Sequence, residues 1–176
     1  ERTIIFVNAI SMLRRLTKIL EILGIKVCGL HASMQQRQRL KYIDKFKSGE
    51  KQVLVATDIA SRGLDIEGLK YVIHYQVARS TDAYIHRCGR TARCGGTGLS
   101  IMLVAPSEYV SYKKLVASMN RETTMEVFSV DPQSVHSLHP HLRQALQIDR
   151  LQLQVDKKNV SQRWIKKSGD EAGIDA

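Results

Sequence analysis

The sequence predicts an α/β fold: an open, mostly parallel sheet with helices on both faces, followed by a helical C-terminal extension. Three observations carry this reading. Short apolar, β-branched runs recur along residues 3–104. Stretches with helical spacing of apolar residues separate most of them. Several runs are apolar throughout instead of alternating, as strands covered on both faces are.

Residues 3–7 (Thr-Ile-Ile-Phe-Val) read as the first buried strand. Ser11 is placed to cap a helix with the apolar stripe Met12, Leu13, Leu16, Ile19, Leu20 and Leu23, and Gly24 to end it. Residues 26–30 read as the second strand. Ser33 and Gln36 have the spacing of a capping box. The helix they open carries Leu40, Ile43 and Phe46 and stops at Ser48-Gly49. Residues 52–56, 71–75 and 99–104 read as the third, fourth and fifth strands. Ser80 is placed to cap a helix running into His86–Arg93, and Gly95, Gly96 and Gly98 break the chain after it. Pro106-Ser107 precedes a further helix that ends near Met119.

Composition changes after about residue 129, which divides the chain into a domain over 1–128 and a basic extension over 129–176. Within the extension, residues 138–167 read as one or two amphipathic helices, and Gly169 to Ala176 as a frayed end. The 176 residues suffice for one ordinary domain with an appendage. The chain opens abruptly on a strand, so the lack of a secretory signal carries little weight. No apolar run approaches the ~18 residues of a membrane span. Lys and Arg outnumber Asp and Glu by 27 to 17, giving a net charge of +10. Such a surface either meets a polyanion or is simply solvated. Cys28, Cys88 and Cys94 form no C-x-x-C pair and are expected as reduced thiols.

The densest chemistry lies in His86-Arg87-Cys88-Gly89-Arg90-Thr91-Ala92-Arg93. In a helix, His86, Arg90 and Arg93 would share one face. A stripe of cations beside a glycine suits a dense anion such as a nucleotide's phosphates. Thr57 to Asp65 (Thr-Asp-Ile-Ala-Ser-Arg-Gly-Leu-Asp) follows the third strand, at the end of the sheet where ligands gather. Thr57 and exposed N–H groups there suit a phosphate, Arg62 adds charge, Gly63 permits close approach, and Asp65 suits a ribose hydroxyl. A capped loop with Asp58 paired to Arg62 explains the same residues equally well. Gln36 to Arg39 suits either a backbone phosphate or an ordinary solvated helix face. A phosphate-cradling Gly-x-x-x-x-Gly-Lys loop is missing, as is an acidic metal-binding strand end. The arginines are fit to touch a nucleotide but lack the apparatus to hold one. His136, His139 and His141 are not expected to bind metal, because no cysteine lies nearby and Pro140 interrupts them.

Together these segments resemble the C-terminal RecA-like domain of DEAD-box RNA helicases over roughly residues 3–120. Ile4-Ile5-Phe6-Val7-Asn8 is similar to motif IV, Gln36 and Arg39 to the Q-x-x-R element, Thr57–Asp65 to motif V and His86–Arg93 to motif VI. The resemblance implies a RecA-like sheet. It implies that Arg90 and Arg93 are arginine fingers toward the γ-phosphate of ATP and that Asp65 touches the ribose. His86 and Arg87 would join the nucleotide site and tie motif VI to its neighbours. Asn8, Gln36, Arg39, Thr57, Arg62 and Gly63 would lie along RNA. ATP with Mg²⁺ would be held mainly by an N-terminal RecA-like domain of the same protein. RNA and that domain are the implied partners, the protein being expected to act as a monomer without a membrane. Ala92, Cys88, Ala32 and Tyr75-Gln76-Val77-Ala78 depart from the usual glycine, isoleucine or valine, glycine and Y-D-x-P. The tail (Trp164-Ile165-Lys166-Lys167, Gly173-Ile174-Asp175) resembles that of nucleolar members serving ribosome assembly, which implies a nuclear location. The competing readings are a noncatalytic RecA-like module that recruits proteins and a DNA-directed helicase domain.

Overall fold

A computed structural model describes residues 1–61, 66, 69–92, 97–119 and 125–172, with side chains omitted at 157 and 162–172. Five parallel strands form one sheet: β1 (Arg2–Val7), β2 (Val27–Leu30), β3 (Val53–Thr57), β4 (Leu69–His74) and β5 (Leu99–Met102). Their order is β2-β3-β1-β4-β5, so β1 is central and the chain builds first to one side of it, then to the other. The open parallel α/β sheet read from the sequence is the one observed.

Alternation along β1 feeds two cores. Ile4 and Phe6 join Leu30, Leu54, Ala56 and Val72 on one face, where Phe46 of α2 (Gln36–Lys47) covers them. Val7 joins Val27 and Val55 on the other face, under Leu13, Leu16 and Leu20 of α1 (Ile10–Ile22). After β3 comes a single turn, α3 (Asp58–Ser61), and after β4 comes α4 (Thr81–Cys88). The Tyr84 ring of α4 lies 5.1 Å from that of His74, which in turn lies 6.3 Å from Phe6. So α4 covers the Phe6 face, opposite to α1. A 3-10 turn (Pro106–Glu108) leads into α5 (Tyr109–Ser118).

Helix ends separate correct readings from wrong ones. Gly24 (φ +80°) ends α1 with a Schellman pair: its N–H bonds the Glu21 carbonyl and the Ile25 N–H that of Leu20. Ser80 caps α4 by accepting the Ala83 N–H at 3.2 Å. Ser11 does not cap α1, which begins one residue earlier after Ala9 with no side-chain cap. Nor do Ser33 and Gln36 form a capping box, because Gln35 is the N-cap and Ser33 lies in the turn before it. Both helices begin without a side-chain cap hydrogen bond. The fifth strand also stops short, leaving Leu103 and Val104 beyond it.

Contacts divide the chain into two compact units, Glu1–Val130 and Asp131–Ala176. The second is one helix, α6 (Pro132–Ala172), longer than the one or two segments expected. Its start is capped by Asp131, whose carboxylate accepts the N–H groups of Gln133 and Ser134 and the Ser134 hydroxyl. These bonds, the Ser134 hydroxyl's first, hold Asp131 below the usual carboxylate range. Pro140 does not interrupt it: only one N–H is lost, and the helix continues on both sides. Helix runs through Ala172, and the rest of the end expected to fray, 173–176, lies outside the described residues. No helix of the described residues is long and apolar enough to cross a membrane.

Candidate functional site

The carboxyl ends of β1, β3 and β4 lie side by side, which brings Asn8, Thr57-Asp58 and Gln76-Val77 together. Arg87, near the end of α4, joins them from the Phe6 face. It is 1% exposed, and its guanidinium is nearly fully used. Nε donates to Asp58 Oδ1 at 2.6 Å and Nη2 to Oδ2 at 2.8 Å. Nη2 also donates to Asn8 Oδ1 at 2.7 Å, and Nη1 to the Gln76 carbonyl at 3.0 Å. The guanidinium carbon sits 5.2 Å from the centre of the Phe6 ring. A buried cation needs this many acceptors, and only the forked guanidinium reaches all of them from one position.

Gln76, one of the departures noted above, belongs to the same knot. Its Oε1 accepts the Asn8 N–H at 2.9 Å, and Asn8 Nδ2 donates to the Val77 carbonyl at 2.9 Å. Arg79 Nη2 adds a bond to the Asn8 carbonyl at 3.2 Å. Asn8 is thus held from four directions.

Arg90 does not share a helical face with His86. α4 ends at Cys88 with Gly89 as its cap, and the chain continues in tight turns: Arg90 N–H bonds the Arg87 carbonyl and Thr91 N–H that of Cys88. Gly89, the fourth residue of the octapeptide, ends the helix that the spacing would have extended. His86 is exposed on α4. Arg90 is half-buried, with Nε donating to the His86 carbonyl at 3.2 Å. Thr91 is anchored instead to β4, its hydroxyl donating to the Leu69 carbonyl at 2.6 Å. Ala92 adopts φ +54°, a left-handed backbone that glycine takes freely. Arg93, and Arg62, Gly63 and Asp65 of the β3 loop, lie outside the described residues.

The remaining predicted contacts sit at the same end of the sheet. Thr57 is half-buried at the end of β3, and Gln36 is exposed at the start of α2. Arg39 is half-buried and donates from Nη2 to the Ala60 carbonyl at 2.8 Å, so α2 is tied to the turn after β3. Asp58 pairs with Arg87; the local Asp58–Arg62 pair considered above falls on Arg62, which lies outside the described residues.

Behind the knot, His74 is fully buried and its Nε2 lies 3.0 Å from Ser100 Oγ and 3.7 Å from Cys88 Sγ. Burial, helped by Arg87 and opposed by Asp58, lowers its pKa to about 4. Neutral at physiological pH, it adds no charge beside Arg87. Cys28 is equally removed from chemistry, since burial pushes its thiol up to about 11. Sequence reading missed His74, whose only signal was a polar residue inside an apolar strand, and marked Gln76 as a departure without giving it a role.

Residues 1–95 match the helicase conserved C-terminal domain. The chain is 44% identical over 174 residues to the Dictyostelium discoideum ATP-dependent RNA helicase ddx24, covering 99% of this chain and 18% of that protein. It is 36% identical over 183 residues to the Aspergillus niger ATP-dependent RNA helicase mak5, covering 99% of this chain and 24% of that protein. The chain thus spans between a sixth and a quarter of the length of these curated relatives. Among solved structures, the E. coli DEAD-box protein SrmB bound to regulator of ribonuclease activity A superimposes with a TM-score of 0.67 at 35% identity, covering 72% of this chain and 75% of that one. Domain 2 of the Mss116p DEAD-box helicase, bound to an RNA duplex, gives 0.64 at 27% identity, covering 75% and 53%.

Proposed function

This chain belongs to the helicase conserved C-terminal domain family in its DEAD-box branch, and from that premise we infer that it is the second RecA-like half of an ATP-dependent RNA helicase. The single observation that carries the mechanism is the Arg87 knot. One buried side chain binds the segment after β1, the segment after β3 and the segment after β4. Of the described residues assigned to RNA, Asn8 belongs to this node and Thr57 precedes its Asp58; of those assigned to ATP, Arg87 is its centre, and His86 and Arg90 flank it in sequence.

In this reading an N-terminal RecA-like domain presents ATP with Mg²⁺ across a cleft. Arg90 and Arg93 follow directly after the fixed Arg87 and meet the γ-phosphate as charge accumulates on it, an effect worth ~10³-fold or more in rate. RNA is gripped by its backbone, so the strand is held with little sequence preference. Hydrolysis and product release then reopen the cleft. Arg87, the member of the nucleotide set that is buried in the knot, acts in this reading by positioning these groups. The basic tail supports a nuclear placement in ribosome biogenesis, which localisation of the tagged full-length protein checks.

The test is RNA-stimulated ATP hydrolysis by the isolated 176-residue chain beside the full-length protein, with folding of the chain verified by circular dichroism. The chain is expected to show negligible turnover while the full-length protein is active. Robust turnover by the isolated chain would overturn the half-site reading.

A further inference from the structure

In an open parallel sheet, a ligand crevice opens outside the carboxyl ends of adjacent strands whose following helices leave to opposite faces. β1 and β4 are such a pair, since α1 covers the Val7 face and α4 the Phe6 face. A cavity of about 570 Å³ opens there, its wall including Asn8, Arg79, Thr81, Glu108, Ser111 and Lys114. Apart from Asn8, none of these residues belongs to the RNA or ATP sets above.

We propose that this cavity holds one further ribose-phosphate of the bound RNA strand, with Lys114 on the phosphate and Glu108 on the ribose 2′-hydroxyl. The proposal rests on the RNA-helicase reading. The order of the strands supports the path: β3, β1 and β4 are neighbours, so a strand drawn over Thr57 and Asn8 next meets the segment Val77–Thr81 that lines the cavity.

The chemistry of the wall selects this occupant. Lys114 is exposed on α5 with no ion pair among the described residues, a point charge available to a phosphate. Glu108 spends Oε1 on the Val77 N–H at 3.2 Å, which fixes the carboxylate and leaves its other oxygen to accept a hydrogen bond. A ribose 2′-hydroxyl donates one, and deoxyribose cannot. The exposed Ser111 hydroxyl and the Thr81–Ser118 hydroxyl pair, 2.6 Å apart, supply further polar partners. Among the described residues no aromatic ring lines the cavity, so they offer no stacking platform for a base. An acidic peptide would satisfy Lys114 but set its carboxylates against Glu108; a ribose-phosphate satisfies both.

The experiment uses the full-length protein, a non-hydrolysable ATP analogue and fluorescein-labelled single-stranded RNA of increasing length, read by anisotropy at several salt concentrations. Lys114→Ala is expected to weaken long strands on the order of fivefold and lower the salt slope by about one, while strands too short to reach the cavity bind as to wild type. A single 2′-deoxy substitution scanned along the strand should cost wild type affinity at one position and cost Glu108→Gln nothing there. Arg39→Ala serves as the control for the RNA face and should weaken strands of every length. If Arg39→Ala weakens binding while Lys114→Ala and the deoxy scan change nothing, the cavity proposal falls and the helicase reading stands. If wild type binds no RNA at all, both fall. Loss of binding to a poly-glutamate peptide on Lys114→Ala, with RNA affinity unchanged, would make the cavity a protein-docking site and overturn the proposal.

Discussion

Arg87 and Asp58 form a two-pronged ion pair, with bonds of 2.6 and 2.8 Å, across 29 residues of sequence. Arg87 is buried while Asp58 retains some solvent, its side chain 28% exposed. Removing one partner therefore leaves charge and acceptors unpaired in a dry place. Arg87→Ala is expected to destabilise the fold by about 3 kcal/mol, toward the low end for a buried pair because Asp58 is partly solvated. Arg87→Lys should recover little, since an ammonium cannot reach Asp58, Asn8 and Gln76 together. Urea unfolding of the three proteins measures both effects.

His74 makes stability depend on pH. Its folded pKa, lowered from 6.5 to about 4 by burial, lies below its unfolded value. Between these values the unfolded chain binds a proton that the folded chain refuses, so stability rises with pH. It is fully present above about pH 6.5, is lost as pH falls toward 4, and amounts to about 3 kcal/mol at most. The slope between pH 6.5 and 5, above most carboxylate titrations, should be present in wild type and absent in His74→Gln. An equal slope in both proteins would assign the acid sensitivity to other groups.

The strands were legible because apolar, β-branched runs with no alternation have one stable place, the middle of a covered parallel sheet. Helix termini were less so. Ser80 caps as expected, but α1 and α2 start without side-chain caps, beside serines that the pattern favoured. The knot was half legible. Asp58 and Arg87 stand out in sequence, yet the nearer Arg62 was an equally good partner on paper. Only the adjacency of β1, β3 and β4 brings Arg87 to Asp58, and adjacency is a tertiary fact. The cavity was not legible at all, because Asn8, Arg79 and Lys114 reach it from separate loops and helices.

Two small residues govern the turn that follows α4. Ala92 holds φ +54°, where a Cβ costs about 1–2 kcal/mol. Ala92→Gly relieves that strain but adds unfolded-state entropy, for a net gain of about 0.5–1 kcal/mol. Gly98→Ala should do the opposite. Its Cβ would collide with Thr91 Oγ1 and lie 2.8 Å from Thr91 Cβ and 2.9 Å from the Ala92 nitrogen. Thr91 would have to release the Leu69 carbonyl, at a cost of about 1–3 kcal/mol. Thermal unfolding of both variants checks the two signs.

Three arginines within one octapeptide should fail in two different ways. Arg87 is buried in the fold, so its loss is expected to appear first as lost stability, with RNA binding and hydrolysis falling together. Arg90 is half-buried, and its Nε donates to the His86 carbonyl of its own segment. Arg93 lies two residues beyond the Thr91 anchor. The bonds that define the knot come from Arg87, Asp58, Asn8 and Gln76. In the full-length protein, Arg90→Ala and Arg93→Ala should leave urea midpoints near wild type and RNA affinity within about threefold, while lowering hydrolysis by ~10³-fold, the scale of a lost arginine finger. Single-turnover hydrolysis and RNA anisotropy on the same preparations separate the cases. Comparable losses of hydrolysis and RNA binding in Arg93→Ala would make that residue an RNA ligand. A fall in stability matching that of Arg87→Ala would make it part of the scaffold.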